Sequence, residues 1–487
     1  MKNSSGITVL KEKYCSMPVQ VKASFWFLIC SFLQKGIQTI TTPIFTRLLT
    51  TAEYGQYSVF NSWLGIITIF VSLHLSAGVY AQGLVKFEED RPRFSSSMQG
   101  LSFVLTVAWT VIYLLFRDFW NGLFKLSTVQ MLSMLVMIWA TSAFGFWAAE
   151  QRVRYKYKHL VILTLLVSVA KPVVGIFFVV NATDKVTAQI LGLVLVELVG
   201  YAGLSVAQIR RGKQFFNKRY WMYALRFNIP LIPHYLSQTV LNSSDRIMIT
   251  NMVGDSEAGI YSLAYSLSLV MSLVGTAVMS TLSPWIYQKI KARKTQDIAN
   301  VAYISLAVVA GVNLLLIAFA PEAVAIFAPS NYYDAIWIIP PVAMSVYFMF
   351  CYDLFAKFEF YFEKTRYIML ASVAGAALNI VLNYVFIKRF GYYAAGYTTL
   401  FCYIVYAVCH YCFMRRVCRQ YLDGAKIYEL KILLGITGVF LALGFLFLAA
   451  YNYMVLRYGM VVVLVIALVL KRRFIMEKIN TLVQIRK

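Results

Sequence analysis

NIPLIPHYLSQTVLNSSDRIMI, residues 228–249, is an apolar segment of spanning length that carries two prolines, a histidine and an adjacent Asp-Arg pair. Pro230 and Pro233 each remove a backbone donor and kink the helix, so the carbonyls they free need partners from neighbouring helices or a water-lined cavity. His234 is placed either to satisfy those carbonyls or to relay a proton. Asp245 and Arg246 stand toward the far end of the same helix from Arg226. Ionisable groups inside a membrane are costly and mark pathways by default; the alternative here is local pairing or snorkelling. Neighbours in sequence point to different faces of a helix, so Asp245 and Arg246 are expected to have separate partners.

The rest of the chain has the same apolar character. Of its 487 residues 60% are hydrophobic and 14% charged, and the mean hydropathy is +0.67. A soluble domain has roughly 45–50% apolar and about 25% charged residues. The composition is that of an all-α polytopic membrane protein. The first apolar run begins near Ala23, is of spanning length and lacks a small-residue cleavage site, so it is expected to stay as the first anchor.

Runs of about twenty apolar residues mark fourteen expected spans. They are 24–46, 57–81, 96–116, 127–148, 160–180, 186–208, 226–252, 258–285, 299–320, 335–356, 367–387, 393–414, 430–450 and 454–470. An even count puts both termini on one side. Lys and Arg collect in the alternate loops that begin with the N-terminal segment. The opposite loops hold only Arg47, Arg117, Lys125, Lys185, Lys388, Arg389 and Arg457. Cytoplasmic loops are the basic ones, so both termini are expected to be cytoplasmic. The net charge of +24 is this bias, in short clusters such as RRGKQFFNKR at 210–219, and not a nucleic-acid footprint. No large external loop and no convergent catalytic constellation is present, which argues against a membrane glycan polymerase or ligase. Cys409 and Cys412 form one C-x-x-C without a second ligand pair, so neither a metal nor any other cofactor is expected.

An internal echo organises the spans. TAEYGQYS at 51–58 and DSEAGIYS at 255–262 share Glu53 with Glu257, Gly55 with Gly259, Tyr57 with Tyr261 and Ser58 with Ser262. Six spans separate the copies, so the repeat has parallel topology and a cleft between two six-helix lobes is the expected substrate site. The expected domains are an N-lobe at 1–208, a C-lobe at 209–425, and two further helices with a cytoplasmic tail at 426–487.

Pro-Leu-Ile-Pro-His, then Asp-Arg-Ile-Met-Ile, then Glu-x-Gly-Ile-Tyr-Ser resembles helices seven and eight of the polysaccharide repeat-unit flippases. These are the O-antigen and capsule transporters of the MOP superfamily, which also contains the MATE exporters. PIFTRLLTTAEYGQYS at 43–58 is similar to the opening helices of that family, and ALNIVLNYVFIKRFGYYAAG at 377–396 to a later pair. The resemblance covers the first twelve spans and is more specific to fold than to substrate. It implies an alternating-access carrier that moves undecaprenyl-pyrophosphate-linked oligosaccharide across the bacterial inner membrane. It also implies a proton or sodium ion for coupling, and partners among the polysaccharide polymerase and chain-length proteins.

The charges within the spans fit an anionic cargo, because a pyrophosphate cannot cross hydrocarbon unpaired. Lys35, Lys171, Arg226 and Arg246 are the basic residues inside them. Lys35, Arg226 and Arg246 are expected to hold the phosphates, while Lys171 is set to neutralise Glu197. Asp245 is the first candidate for the coupling ion and Glu197 the second; Asp353 is expected to pair with Lys357 one turn away. Pro230, Pro233 and His234 are expected to form the kink used in gating. A MATE-like exporter of organic cations would want a cleft dominated by carboxylates. A lipid II flippase would satisfy the same charge argument.

Overall fold

The computed structural model describes residues 16–77 and 79–470. Among them the chain is helical, in chain order α1 (Val19–Leu48), α2 (Thr51–Ser72), α3 (Val79–Lys86), α4 (Arg91–Leu115), α5 (Arg117–Phe124), α6 (Thr128–Val153), α7 (Tyr157–Val180), α8 (Lys185–Gly212) and α9 (Lys218–Asn228). A 3-10 turn, Ile229–Leu231, leads to α10 (Ile232–Met252), α11 (Asp255–Val270), α12 (Ser272–Lys291), α13 (Gln296–Ala318) and α14 (Ala320–Phe327). After a second 3-10 segment come α15 (Ile339–Tyr361), α16 (Thr365–Phe390), α17 (Tyr393–Tyr421), α18 (Leu430–Ala449) and α19 (Met454–Leu470). Helix is the outcome that hydrocarbon enforces, since each backbone N–H and C=O must find its partner within the segment. Polar caps start several helices at the bundle ends: Ser127 and Gln130 form a capping box for α6, and Asp184 and Asn217 cap α8 and α9.

Two compact units result. The first runs to Leu48 and resumes over Phe60–Leu236. Its central helix is α8, packed by α4, α6 and α7. A buried polar network ties these helices: Glu150 accepts from Gln208 at 2.7 Å and from Arg211 at 2.6 Å and pairs with Arg154, while Gln99 donates to Gln208 at 2.7 Å. Beside it Tyr80, Phe94, Phe146 and Tyr220 form an aromatic core.

The second unit comprises Leu49–Val59 and the chain from Ser237 onward. Its central helix is α15, packed by α11, α12, α13 and α17. Within it Glu359 and His410 face each other, both fully buried, with Oε1 and Nδ1 2.8 Å apart. Helices α18 and α19 are fastened to this unit. Tyr347 packs its ring against Phe440, Tyr451 donates to the carbonyl of Ile317 at 2.6 Å, and Arg457 pairs with Glu322.

Ten segments are long and apolar enough to cross a membrane, counting Asp255–Lys291 as one. The other four expected spans are present as helices outside that class. These are α1, α2, the broken helix α9–α10, and α19, which has 17 residues. Several boundaries differ from the expected ones, for physical reasons. The span at 57–81 is two helices, because Leu73 and His74 adopt left-handed conformations and turn the chain after Ser72. The span at 258–285 divides at Met271 into α11 and α12. The spans ending at 148 and 356 continue to Val153 and Tyr361, since a carboxylate that finds a partner does not stop a helix; Glu150 and Glu359 are thereby inside the bundle. The tail expected within 426–487 lies, from residue 471, outside the described residues.

The two copies of the echo meet. A Cβ on Gly55 would sit 1.8 Å from the carbonyl oxygen of Asp255, and one on Gly259 would sit 2.1 Å from that of Thr51. Each glycine thus faces the carbonyl four residues before the other, a reciprocal crossing of the first turns of α2 and α11 that only glycine permits. The hydroxyls of Thr51 and Ser256 are 2.7 Å apart and Gln56 donates to Asp255 at 3.0 Å. Thr50 and Glu53 close a capping box beneath the crossing.

Candidate functional site

The opening stretch of sequence breaks where its prolines stand. Pro230 lies in the 3-10 turn after α9 and Pro233 is the second residue of α10, so neither has to donate a hydrogen bond inside an α-helix. Asn228, fully buried, donates to the carbonyl of Leu73 at 2.8 Å. The expected role of His234 in satisfying freed carbonyls is not seen: its Nδ1 is buried without a hydrogen-bond partner, and its ring lies near that of Tyr235. The chain leaves the first unit one turn later, after Leu236.

Asp245 is the most elaborately held charge in the second unit. It is fully buried on α10, and helices α11, α16 and α17 each supply a donor. Its Oδ1 accepts from Asn383 at 2.5 Å, and its Oδ2 accepts from Tyr261 at 2.5 Å and Thr399 at 2.9 Å. Around them Ser244 donates to Asn379 at 2.9 Å, Asn383 to Asn379 at 3.2 Å, and Thr398 to Asn383. Asn379 and Asn383 lie one turn apart and so share a face of α16. Arg246 points elsewhere. Its guanidinium lies 4.3 Å from the ring centroid of Tyr265 and donates to the carbonyl of Asn242 at 2.8 Å. Asp245 is therefore a carboxylate held by neutral hydroxyl and amide donors, and among the described residues no lysine or arginine is hydrogen-bonded to it. In a low-dielectric interior a buried carboxylate needs such donors or a proton to offset its lost hydration.

In the first unit Lys171 and Glu197 form the expected pair, Nζ to Oε1 at 2.5 Å, and the Glu197 side chain is only 2% exposed. Lys171→Ala strands that carboxylate. Removing one partner of a fully buried pair costs roughly 3–5 kcal/mol. The cost here is expected toward the lower end, because the Lys171 side chain keeps 31% of its surface open and the pair is not fully enclosed by protein. Thermal unfolding in detergent measures it, and adding Glu197→Gln should restore most of the loss. Lys357 and Asp353 likewise pair at 2.6 Å.

The three cations expected to hold phosphate differ in surroundings. Lys35 on α1 and Arg226 on α9 are exposed and have no ion-pair partner among the described residues; Arg246 is half-buried against Tyr265. Lys35 and Arg226 belong to the first unit and Arg246 to the second. No group of three or more His, Cys, Asp or Glu that could hold a metal ion occurs among the described residues.

Comparison with known proteins places this architecture. The family described as "Polysaccharide biosynthesis protein" matches residues 21–291, more than half of the chain, and the MatE family matches residues 230–385. A Haemophilus influenzae protein, "Lsg locus putative protein 1", is 21% identical over 74% of this chain and 89% of its own length. Among solved structures, the lipid II flippase MurJ in an inward closed conformation superposes with a TM-score of 0.71 at 13% identity. The match covers 92% of this chain and 99% of MurJ. An inward-facing multidrug resistance MATE transporter of the MOP superfamily gives 0.60 at 13% identity, over 80% of this chain and 96% of that one. At such identities the likeness is one of fold, and these neighbours are transporters and flippases. The chain, a multi-pass membrane protein, thus belongs to the polysaccharide biosynthesis protein family.

Proposed function

We propose that the protein moves undecaprenyl-pyrophosphate-linked oligosaccharide repeat units from the cytoplasmic to the outer leaflet of the bacterial inner membrane, for surface polysaccharide such as O-antigen or capsule. Both termini are cytoplasmic in this reading, as the distribution of Lys and Arg requires. The observation that carries it is that Lys35 and Arg226 stand exposed on bundle helices without a carboxylate partner among the described residues. An exposed cation on such a helix, Lys35 within its span and Arg226 at the edge of one, is stabilised by an anion that comes and goes, and the pyrophosphate is such an anion. Arg246 contributes the third positive charge. The oligosaccharide travels with the headgroup while the polyprenyl tail stays in lipid. An exporter's organic cations would be repelled by the same residues.

Coupling is assigned to Asp245, which binds a proton or sodium ion in its cage of neutral donors. Glu197 is the weaker candidate because Lys171 already neutralises it. The break at Pro230 and Pro233, with His234 beside it, is the gating kink. Polymerase and chain-length proteins would receive the product.

The test replaces Lys35, Arg226 and Arg246 singly by Ala in a deletion strain at matched protein levels. Surface polysaccharide is expected to fall by roughly tenfold or more for at least one replacement, the scale of one charge-assisted contact of about 1.5–3 kcal/mol. Wild-type output from all three variants would sink the assignment. Lipid II transport is distinguished by the same strain, which should lose surface polysaccharide and keep growing.

A further inference from the structure

Beyond the transported cargo, the second unit carries a hollow whose chemistry fits a resident lipid. α16 and α17 form a hairpin that turns at Gly391, in a left-handed conformation with φ of 73°. The last turns of α16 contribute Leu382, Phe386 and Phe390, spaced four apart on one face, and the first turns of α17 contribute Ala394, Tyr397 and Phe401. Between them lies a cavity of about 510 Å³, within the range that holds small-molecule ligands. The small side chain of Ala394 leaves the space that the rings enclose.

The walls offer almost nothing polar. Thr398 turns its hydroxyl inward to Asn383, and the Tyr393 phenol is engaged by Asp334. Phe386, Phe390, Tyr397 and Phe401 keep between 40% and 59% of their surface open. Only hydrocarbon is compatible with such a lining. What separates this hollow from ordinary lipid-facing surface is its concave shape and a pair of cations at one end. Lys388 and Arg389 close α16, both exposed and without a carboxylate partner among the described residues, and the Arg389 guanidinium lies 5.5 Å from the ring centroid of Phe390. A groove for a chain and a positive mouth for a phosphate are the two components of an anionic lipid's binding site.

We propose that the α16–α17 hairpin binds a membrane phospholipid of net negative charge, its chain in the aromatic groove and its headgroup phosphate at Lys388 and Arg389. Because Thr398 forms the wall behind the chain and bonds to Asn383, a partner of Asp245, the lipid rests against the back of the Asp245 cage.

The test uses the full chain, its own cysteines replaced, with a bimane label on Val385→Cys beside the groove. A control carries the label on Val169→Cys, an exposed apolar position of α7. Each is reconstituted in phosphatidylcholine vesicles with an equal small fraction of brominated phosphatidylglycerol or brominated phosphatidylcholine. The label at 385 should show a preference for the anionic quencher of about fivefold or more, the scale of one basic side chain against an anionic headgroup. The label at 169 should show none. Lys388→Ala with Arg389→Ala, or separately Ala394→Trp, which fills the groove, should erase the preference. Equal quenching by the two lipids at 385, or a preference that survives both changes, overturns the proposal. So does displacement of the quencher by polyprenyl phosphate but not by unbrominated phosphatidylglycerol. None of these readouts requires transport, so they stand or fall independently of the proposed cargo.

Discussion

In a chain stripped of its seven cysteines, Thr51→Cys with Ser256→Cys is expected to form a disulfide under mild oxidation and to arrest transport until it is reduced. The two hydroxyls are 2.7 Å apart at the crossing of α2 and α11, and the glycines beside them bring backbone against backbone. Sulfurs standing in place of those oxygens would start within about an ångström of disulfide bond length. A carrier that alternates moves helices against one another, so a covalent bond between α2 and α11 is expected to hold it in one state. Loss of transport should therefore approach completeness, with full recovery on reduction. Gly259→Leu should prevent the cross-link from forming, because its side chain would meet the carbonyl of Thr51 and hold the helices apart. Gel mobility of the oxidised and reduced protein, with transport measured on the same samples, decides it. A cross-linked protein that still transports would show that this crossing does not move.

The second large effect belongs to Asp245. Asp245→Asn keeps the shape and removes the charge, and the hydroxyls of Tyr261 and Thr399 can rotate to accept from the new amide. Folding is expected to survive while coupling is lost. Transport should fall by roughly 5–150-fold, the span of a coupling free energy of about 1–3 kcal/mol. Tyr261→Phe leaves the charge and deletes one of its three donors, so it should chiefly lower thermal stability, by about 1.5–3 kcal/mol. Transport driven by an imposed proton or sodium gradient, compared with thermal unfolding for both variants, separates the two effects. An Asp245→Asn protein that responds to the gradient as the wild type does would remove this carboxylate from the coupling machinery.

The membrane class, the break at Pro230 and Pro233, and the Lys171–Glu197 and Lys357–Asp353 pairs were legible because each follows from composition or local spacing. The partners of Asp245 were not. Tyr261 is 16 residues away, but Asn383 and Thr399 are 138 and 154 away and reach it only through the packing of α10 against α16 and α17. Glu150 and Glu359 escaped notice because a hydropathy window closes at a charge, whereas the helix continues once Arg211 or His410 supplies a partner. The left-handed residues of the turn after Ser72 are Leu73 and His74, neither of them Gly, so the point of the break was not marked locally. The echo at 51–58 and 255–262 was visible as a motif; that its two copies cross glycine to glycine required the fold.

The most direct measurement uses spheroplasts of a strain lacking this protein, with a membrane-impermeant label applied to the outer leaflet of the inner membrane. Lipid-linked oligosaccharide is expected to accumulate there unlabelled, and to become labelled when the gene is restored. Outer-leaflet exposure that is the same with and without the protein would contradict the account, most sharply if loss of the protein instead raised sensitivity to cationic drugs.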